Sequence, residues 1–282
     1  MDDRAARAQI DNEALGRASA IDPYSPAQIA RLVEAAGVRK VRLPPLDMFT
    51  LAVLAGAFIA FGGMFFTLAV TGAELGFGPT RVLGGLTFSL GLILVVIAGA
   101  ELFTGNNLIV MAWAHGKVTA TELATNWGIV FIGNFVGAAA CVAFMYASDA
   151  LSIGGGAQAE TAIAIARAKV ELDFTQSFVR GVLCNVLVCL AVWLSYASHR
   201  VAGKVLCILF PITAFVALGF EHSIANMYLI PIGMLASGQG IDLIALLGNL
   251  VPVTLGNIVG GSVLVTLVYW LVYLRGKPGP AH

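Results

Sequence analysis

Glu221 and His222 stand side by side in GFEHSIANM, with VLCILFPITAFVAL upstream and YLIPIGML downstream. A charge at the centre of an inserted helix costs about 2.5–3.5 kcal/mol, so ionisable residues in such surroundings call for a function or a partner. A second glutamate, Glu101, sits in the similarly apolar AGAELFTGN. An asparagine follows each glutamate at the same spacing, Asn106 and Asn226, and Thr104 falls between the first pair. Carboxylates accept from free backbone N–H groups and amides both donate and accept, so these four residues suit the bracing of an interrupted helix. A proton relay through the glutamates is the alternative. Imidazole titrates near neutral pH, so His222 facing a solute path could donate to an anion or lend it a proton. A hydrogen-bonded structural histidine is the other reading. His115, His199 and His282 fall in loops or at the terminus, which excludes a multi-histidine metal centre. The four cysteines lie in apolar segments without metal-site spacing and read as small core residues. No metal and no cofactor are expected.

The elements that must position these groups are membrane helices. Of 282 residues, 59% are hydrophobic and 11% charged, with a mean hydropathy of +0.88. Soluble domains carry about 25% charged residues, so the chain is an integral membrane protein. The net charge is zero, so overall charge says nothing about nucleic-acid or acidic partners, and no nucleic-acid partner is expected. The polar N-terminal stretch does not read as a secretory signal. Six segments are long enough to cross a bilayer: 48–70, 82–114, 127–147, 174–197, 203–237 and 247–274. The second and fifth are too long for one simple helix and carry the polar residues at their centres, so both are expected to break at mid-membrane. An even number of spans puts both termini on one side. The excess of Lys and Arg near the membrane places that side in the cytoplasm. Residues 1–45 are then a cytoplasmic segment, 46–277 the transmembrane domain and 278–282 a cytoplasmic tail. Within the first, SPAQIARLVEAAGV has Ser25 to cap and Pro26 for the first helical position. It reads as a surface helix or as a plug below a pore. Residues 148–173 read as an external loop.

The two halves echo one another. GNFVG (133–137) pairs with GNIVG (256–260), Asn126 and Asn249 stand eight residues before Asn134 and Asn257, and ELFTGN pairs with EHSIAN. Three spans per half is an odd number, so the second repeat must be inverted, as in transporters and channels whose broken helices mark the substrate site. The expected fold is all-α, six spans in two inverted three-span repeats with spans two and five broken. If the repeats face each other across a pore, Thr104 is the natural partner of His222. Phe88, Leu92 and Phe215 precede the breaks. They read as core or lipid-facing packing, or as dry constrictions that pass a neutral acid more easily than a bare anion.

AGAELFTGN, GFEHSIANM and NLVPVTLGNIVGG resemble the signature motifs of the formate/nitrite transporter family, and the likeness runs from AQIARLVEAAGVRK to LVYLRG. The resemblance implies a homopentamer of aquaporin-like protomers in the inner membrane, each passing small monovalent anions. Formate is the first expectation; nitrite and hydrosulfide are the alternatives. It also implies that His222 is the central histidine and Thr104 its partner. Phe88 and Phe215 would form the outer constriction, and Leu92, Leu102 and Phe103 the inner one. Lys169 and Asn185 would be the polar residues that draw the anion into the outer vestibule, and proton co-transport through His222 would follow. Two other classes compete. A membrane enzyme would need a nucleophile–base set beyond Glu101, Glu221 and His222. A neutral-solute channel should carry paired Asn-Pro-Ala motifs, which the sequence lacks.

Overall fold

The structure, a computed structural model, describes residues 23–276 apart from 239; the tail 278–282 and the first 22 residues of the N-terminal segment lie outside the described residues. All regular structure in it is helical. Helix α1 (Pro26–Val41) starts at a capping box: the Gln28 N–H donates to Ser25 Oγ and the Ser25 N–H to Gln28 Oε1. Arg39 and Lys40 complement the dipole in its last turn. Ile29, Ala30, Val33 and Ala36 are buried, so α1 is a docked element with one face packed.

The chain continues through α2 (Pro45–Val70) and α3 (Phe77–Leu94), which a single wide turn extends to Gly99. After a break come a tight helical turn, Gly105–Ile109, and the short α4 (Val110–Ala114). Then follow α5 (Ala120–Ala147), α6 (Ala157–Val170), α7 (Phe174–Ala197), α8 (Val201–Ala217), α9 (Ser223–Ser237) and α10 (Leu243–Ile258). A widened helical stretch, Val259–Leu267, joins α10 to α11 (Val268–Tyr273).

Five of these helical runs are long and apolar enough to cross a membrane, the shortest, Phe77–Gly99, having 23 residues. At about 1.5 Å per residue that reaches ~35 Å, more than a hydrocarbon core of about 30 Å. The expected segment 203–237 is not among the five, because Gly219, at φ 75°, ends α8 and divides it into two shorter apolar helices. The expected loop 148–173 differs too: Gly154, Gly155 and Gly156, all at positive φ, turn the chain into α6. The alanine-rich sequence of α6 packs on α9, where Ala166 meets Gly233. Lys169 thus sits in the last turn of a helix.

α2 packs on α3 and α5, α7 on α8 and α10, and α3 on α8. Gly137 and Gly260 explain how two of these contacts become so close. A Cβ at Gly137 would lie 1.9 Å from Val53 O, and one at Gly260 would lie 2.1 Å from Val182 O. Outward-facing residues such as Phe144 and Ile244 are 74% and 80% exposed, an apolar surface suited to hydrocarbon.

Candidate functional site

Both helix breaks free backbone groups that must be satisfied inside the protein. In the first, Gly99 takes φ 82° and Ala100 is extended. The Glu101 N–H donates to Leu51 O at 3.2 Å. Asn134 Oδ1 accepts from the Phe103 N–H at 2.9 Å, while Asn134 Nδ2 donates to Ala52 O at 2.7 Å and Glu101 O at 2.9 Å. The second break repeats the pattern. The Glu221 N–H donates to Arg180 O at 3.2 Å. Asn257 Oδ1 accepts from the Ser223 N–H at 2.9 Å, and Asn257 Nδ2 donates to Gly181 O at 2.8 Å and Glu221 O at 3.0 Å. One amide on α5 and one on α10 each hold a break to the helix beside it.

The carboxylates are paired alike. Lys40 Nζ lies 2.6 Å from Glu101 Oε1, and Lys169 Nζ lies 2.9 Å from Glu221 Oε1. Asn106 Nδ2 donates to Glu101 Oε2 and Asn226 Nδ2 to Glu221 Oε2, both at 2.7 Å. The same two amides also donate to Asn126 Oδ1 and Asn249 Oδ1, at 2.9 and 2.7 Å. Asn249 Nδ2 closes the circuit on Lys169 O at 2.8 Å, and Asn126 Nδ2 reaches Lys40 O at 3.4 Å. Lys40 was not singled out by the sequence motifs. The signal was its position: it precedes the first helix of its half, at Pro45, by the same distance that Lys169 precedes Phe174.

His222 and Thr104 meet where the two breaks face each other. His222 caps α9, its Nδ1 accepting from the Ala225 N–H at 3.1 Å, and its Nε2 lies 3.0 Å from Thr104 Oγ1. A ring nitrogen that accepts from an amide carries no proton, so the neutral imidazole bears its hydrogen on Nε2 and donates it to Thr104. A proton on Nδ1 would remove the cap. Thr104 is itself held through its carbonyl by Asn185 Nδ2 at 3.3 Å and Cys189 Sγ at 3.4 Å. Both residues of the pair are buried, at 0% and 2% exposure for Thr104 and His222.

Two cavities approach this pair. One, of about 160 Å³, is lined by Phe88, Phe215, His222, Lys169, Glu221, Arg81 and Arg180 among others. The other, of about 480 Å³, is lined by Leu92, Leu102, Lys40, Glu101, Asn106, Arg39 and Lys204 among others. Each holds three cations against one carboxylate, an electrostatic field that concentrates anions. The Phe88 and Phe215 rings meet edge to face with centroids 5.6 Å apart, and Phe215 stacks on His222 at 5.8 Å. Phe88 and Leu92 are one turn apart on α3 yet line opposite cavities, so the dry layer between them is about 6 Å thick.

Two of the expected site residues are placed elsewhere. Phe103 lines neither cavity; it points away, its ring 5.0 Å from Phe131 and 6.0 Å from Trp127. Asn185 is fully buried and lines neither cavity; besides Thr104 O its amide donates to Asn257 O at 2.7 Å. It positions the break and does not face the vestibule.

This architecture has known counterparts. The family model for formate/nitrite transporters matches residues 27–271. The chain is 42% identical over 273 residues to the formate channel FocA of Escherichia coli strain K12, covering 90% of this chain and 96% of that one. A solved pentameric formate channel with formate bound superposes with a TM-score of 0.76 at 41% identity, over 82% of this chain and 98% of that chain. A second solved structure, an FNT family ion channel, gives 0.80 at 29% identity, over 89% and 99%. These relatives are channels and not enzymes, and the chain belongs to the formate/nitrite transporter family.

Proposed function

We propose that this chain is a channel for the anions of small weak acids, formate first among them. The observation that carries the reading is the seal. Two cationic cavities are separated by a single helical turn of apolar side chains, with a hydrogen-bonded histidine and threonine beside it. The relatives named as formate channels support formate over other anions.

Residues 46–277 form the channel domain, with six crossings in two inverted repeats, α8 and α9 together making the fifth. Five protomers assemble, each with its own path, in the inner membrane with both termini cytoplasmic. The Lys169 cavity is then the outer vestibule and the Lys40 cavity the inner one. An anion gathers beside Lys169, but the layer at Phe88, Phe215 and Leu92 offers no water to solvate its charge. Desolvation favours the neutral acid, so formate takes up a proton before crossing and releases it beyond. His222, donating from Nε2, aligns the anion's oxygen; the proton comes from water of the Lys169 vestibule, and any proton given from Nε2 is returned to the same nitrogen by that water, so the ring stays neutral. The net event is movement of formate together with a proton.

Reconstitution in liposomes tests this. Formate flux is followed together with internal pH for the unaltered protein, His222→Asn and His222→Phe. The expected result is formate uptake with internal acidification, with altered coupling in Asn and little flux in Phe. Unaltered flux and coupling in both variants would remove His222 from the mechanism. Glycerol flux exceeding formate flux would overturn the anion reading.

A further inference from the structure

Two cations of the Lys169 cavity enter the mechanism above only through their charge. Arg81, at the start of α3, and Arg180, on α7, come from opposite halves of the chain and converge on one glycine of the second break. A Cβ at Gly219 would lie 2.9 Å from Arg81 Nη2 and 3.9 Å from Arg180 Nη1, so the two guanidinium groups stand within a few ångströms of a common point. Like charges repel at this range and are kept together only for a reason.

One reason is local. α8 ends here, and its last carbonyls lack the amides of a continuing helix, Val216 O keeping only the Gly219 N–H at 3.0 Å. Arg81 donates through Nε to Ala217 O and through Nη2 to Val216 O, the latter at 3.0 Å, and its plane lies over the Phe77 ring at 5.7 Å. That bidentate grip already caps the helix. Arg180 adds a bond to Gly219 O of 3.4 Å, too long to account for a second half-buried charge. Among the described residues neither arginine joins an ion pair, and the carboxylate of the cavity, Glu221, is held by Lys169. Each guanidinium has five N–H donors, and the carbonyls engage two on Arg81 and one on Arg180. Among the described residues the rest have no hydrogen-bond partner, beside a cavity that both arginines line.

We propose that Arg81 and Arg180 form a carboxylate-binding site at the rim of the Lys169 cavity, a first station at which a small monocarboxylate is bridged between two guanidinium groups before it reaches Lys169. A single carboxylate oxygen accepting from both at about 2.8 Å spans roughly 5.6 Å, a distance compatible with the convergence on Gly219. With one oxygen bridging, the second oxygen accepts from a further N–H of the Arg180 fork, a donor that a spherical anion in the bridging position leaves unused, so the site favours formate over chloride. The site deepens the formate reading and rests on it. It has no role in protonation, so it sets the concentration dependence of uptake and leaves the maximal rate alone.

The test uses the full-length protein in liposomes, with formate uptake measured against outer formate concentration, alone and with benzoate, a carboxylate too wide to pass the phenylalanine layer. Arg180→Leu gives up little of the cap. Arg81→Lys keeps a donor for the α8 carbonyls and removes the fork. Each is expected to raise the half-saturating formate concentration about tenfold, the loss of one charge-assisted hydrogen bond. Maximal flux should stay within about twofold, and competitive block by benzoate should be lost. Unchanged half-saturation and unchanged benzoate block in both variants would overturn the site. If the unaltered protein carries no formate, the functional reading fails separately. Calorimetric titration of benzoate into the purified protein then decides the site: binding lost in Arg180→Leu supports it, and binding absent or unchanged overturns it.

Discussion

His222 Nε2 stands 3.0 Å from Thr104 Oγ1, a bond that joins the break of one half to the break of the other. Because Nδ1 is occupied by the Ala225 N–H, the only hydrogen that this neutral ring can offer a substrate is the one it gives Thr104. A permeating anion must therefore compete with, or insert into, that bond.

Thr104→Val keeps the volume and removes the hydroxyl, leaving Nε2 unpartnered in a dry site. An unsatisfied buried polar group costs about 1–3 kcal/mol. Formate flux in liposomes should fall by roughly 5- to 150-fold if that bond is made and remade in each passage. Thr104→Ser should recover most of the flux. A valine variant with full activity would show that the hydroxyl is not needed in the pathway.

The lysine–glutamate pairs predict a stability pattern. Removing one partner of a buried ion pair costs about 3–5 kcal/mol because the other charge is stranded. Lys169→Met leaves Glu221 with asparagine amides alone, and the melting temperature in detergent should drop sharply. Adding Glu221→Gln removes the stranded charge and should recover part of the loss. A double variant less stable than the single would mean that Lys169 acts mainly through packing.

How far the sequence carried this picture depends on range. The membrane class followed from composition, and the capped helix at Ser25–Val41 from local chemistry, since both need only neighbouring residues. The pairing of Glu101 with Asn106 and of Glu221 with Asn226 was visible in their spacing. Lys40 was not, because its carboxylate lies 61 positions away and only the fold joins them. Phe103 was misjudged for a related reason. Leu102 and Phe103 are neighbours in the motif, yet Leu102 lines a cavity while Phe103, where the chain turns, packs on Phe131 and Trp127, a difference that only the fold decides. The helix in 157–170 was missed because its alanines carry a weak apolar signal and only packing against Gly233 reveals their buried face.

Asn134 and Asn257 should be equivalent in a way their neighbours are not. Each makes three bonds to backbone groups freed by a break. Asn134→Leu and Asn257→Leu should both cut the recovery of folded protein severely, since three unsatisfied groups at about 1–3 kcal/mol each rival the roughly 5–15 kcal/mol stability of a typical domain. Asn134→Asp and Asn257→Asp keep the acceptor, lose the donors and should give reduced, heat-labile yields. Normal yield from either leucine variant would mean that water or a shifted backbone replaces the amide.

The seal makes the sharpest functional prediction. Phe88 and Leu92 face opposite cavities from adjacent turns of α3, so the barrier to a bare anion is one layer of side chains. Leu92→Ala removes the layer on the Lys40 side and lets water from the larger cavity reach His222. A wetted path solvates the charge, so the anion no longer needs a proton to pass. In planar bilayers at fixed voltage, the variant should carry a formate current several times that of the unaltered protein, while acidification per formate in liposomes falls. Phe88→Ala should act in the same direction from the Lys169 side. If truncation raises formate flux but leaves one proton moving with each formate, the apolar layer is not what couples the two.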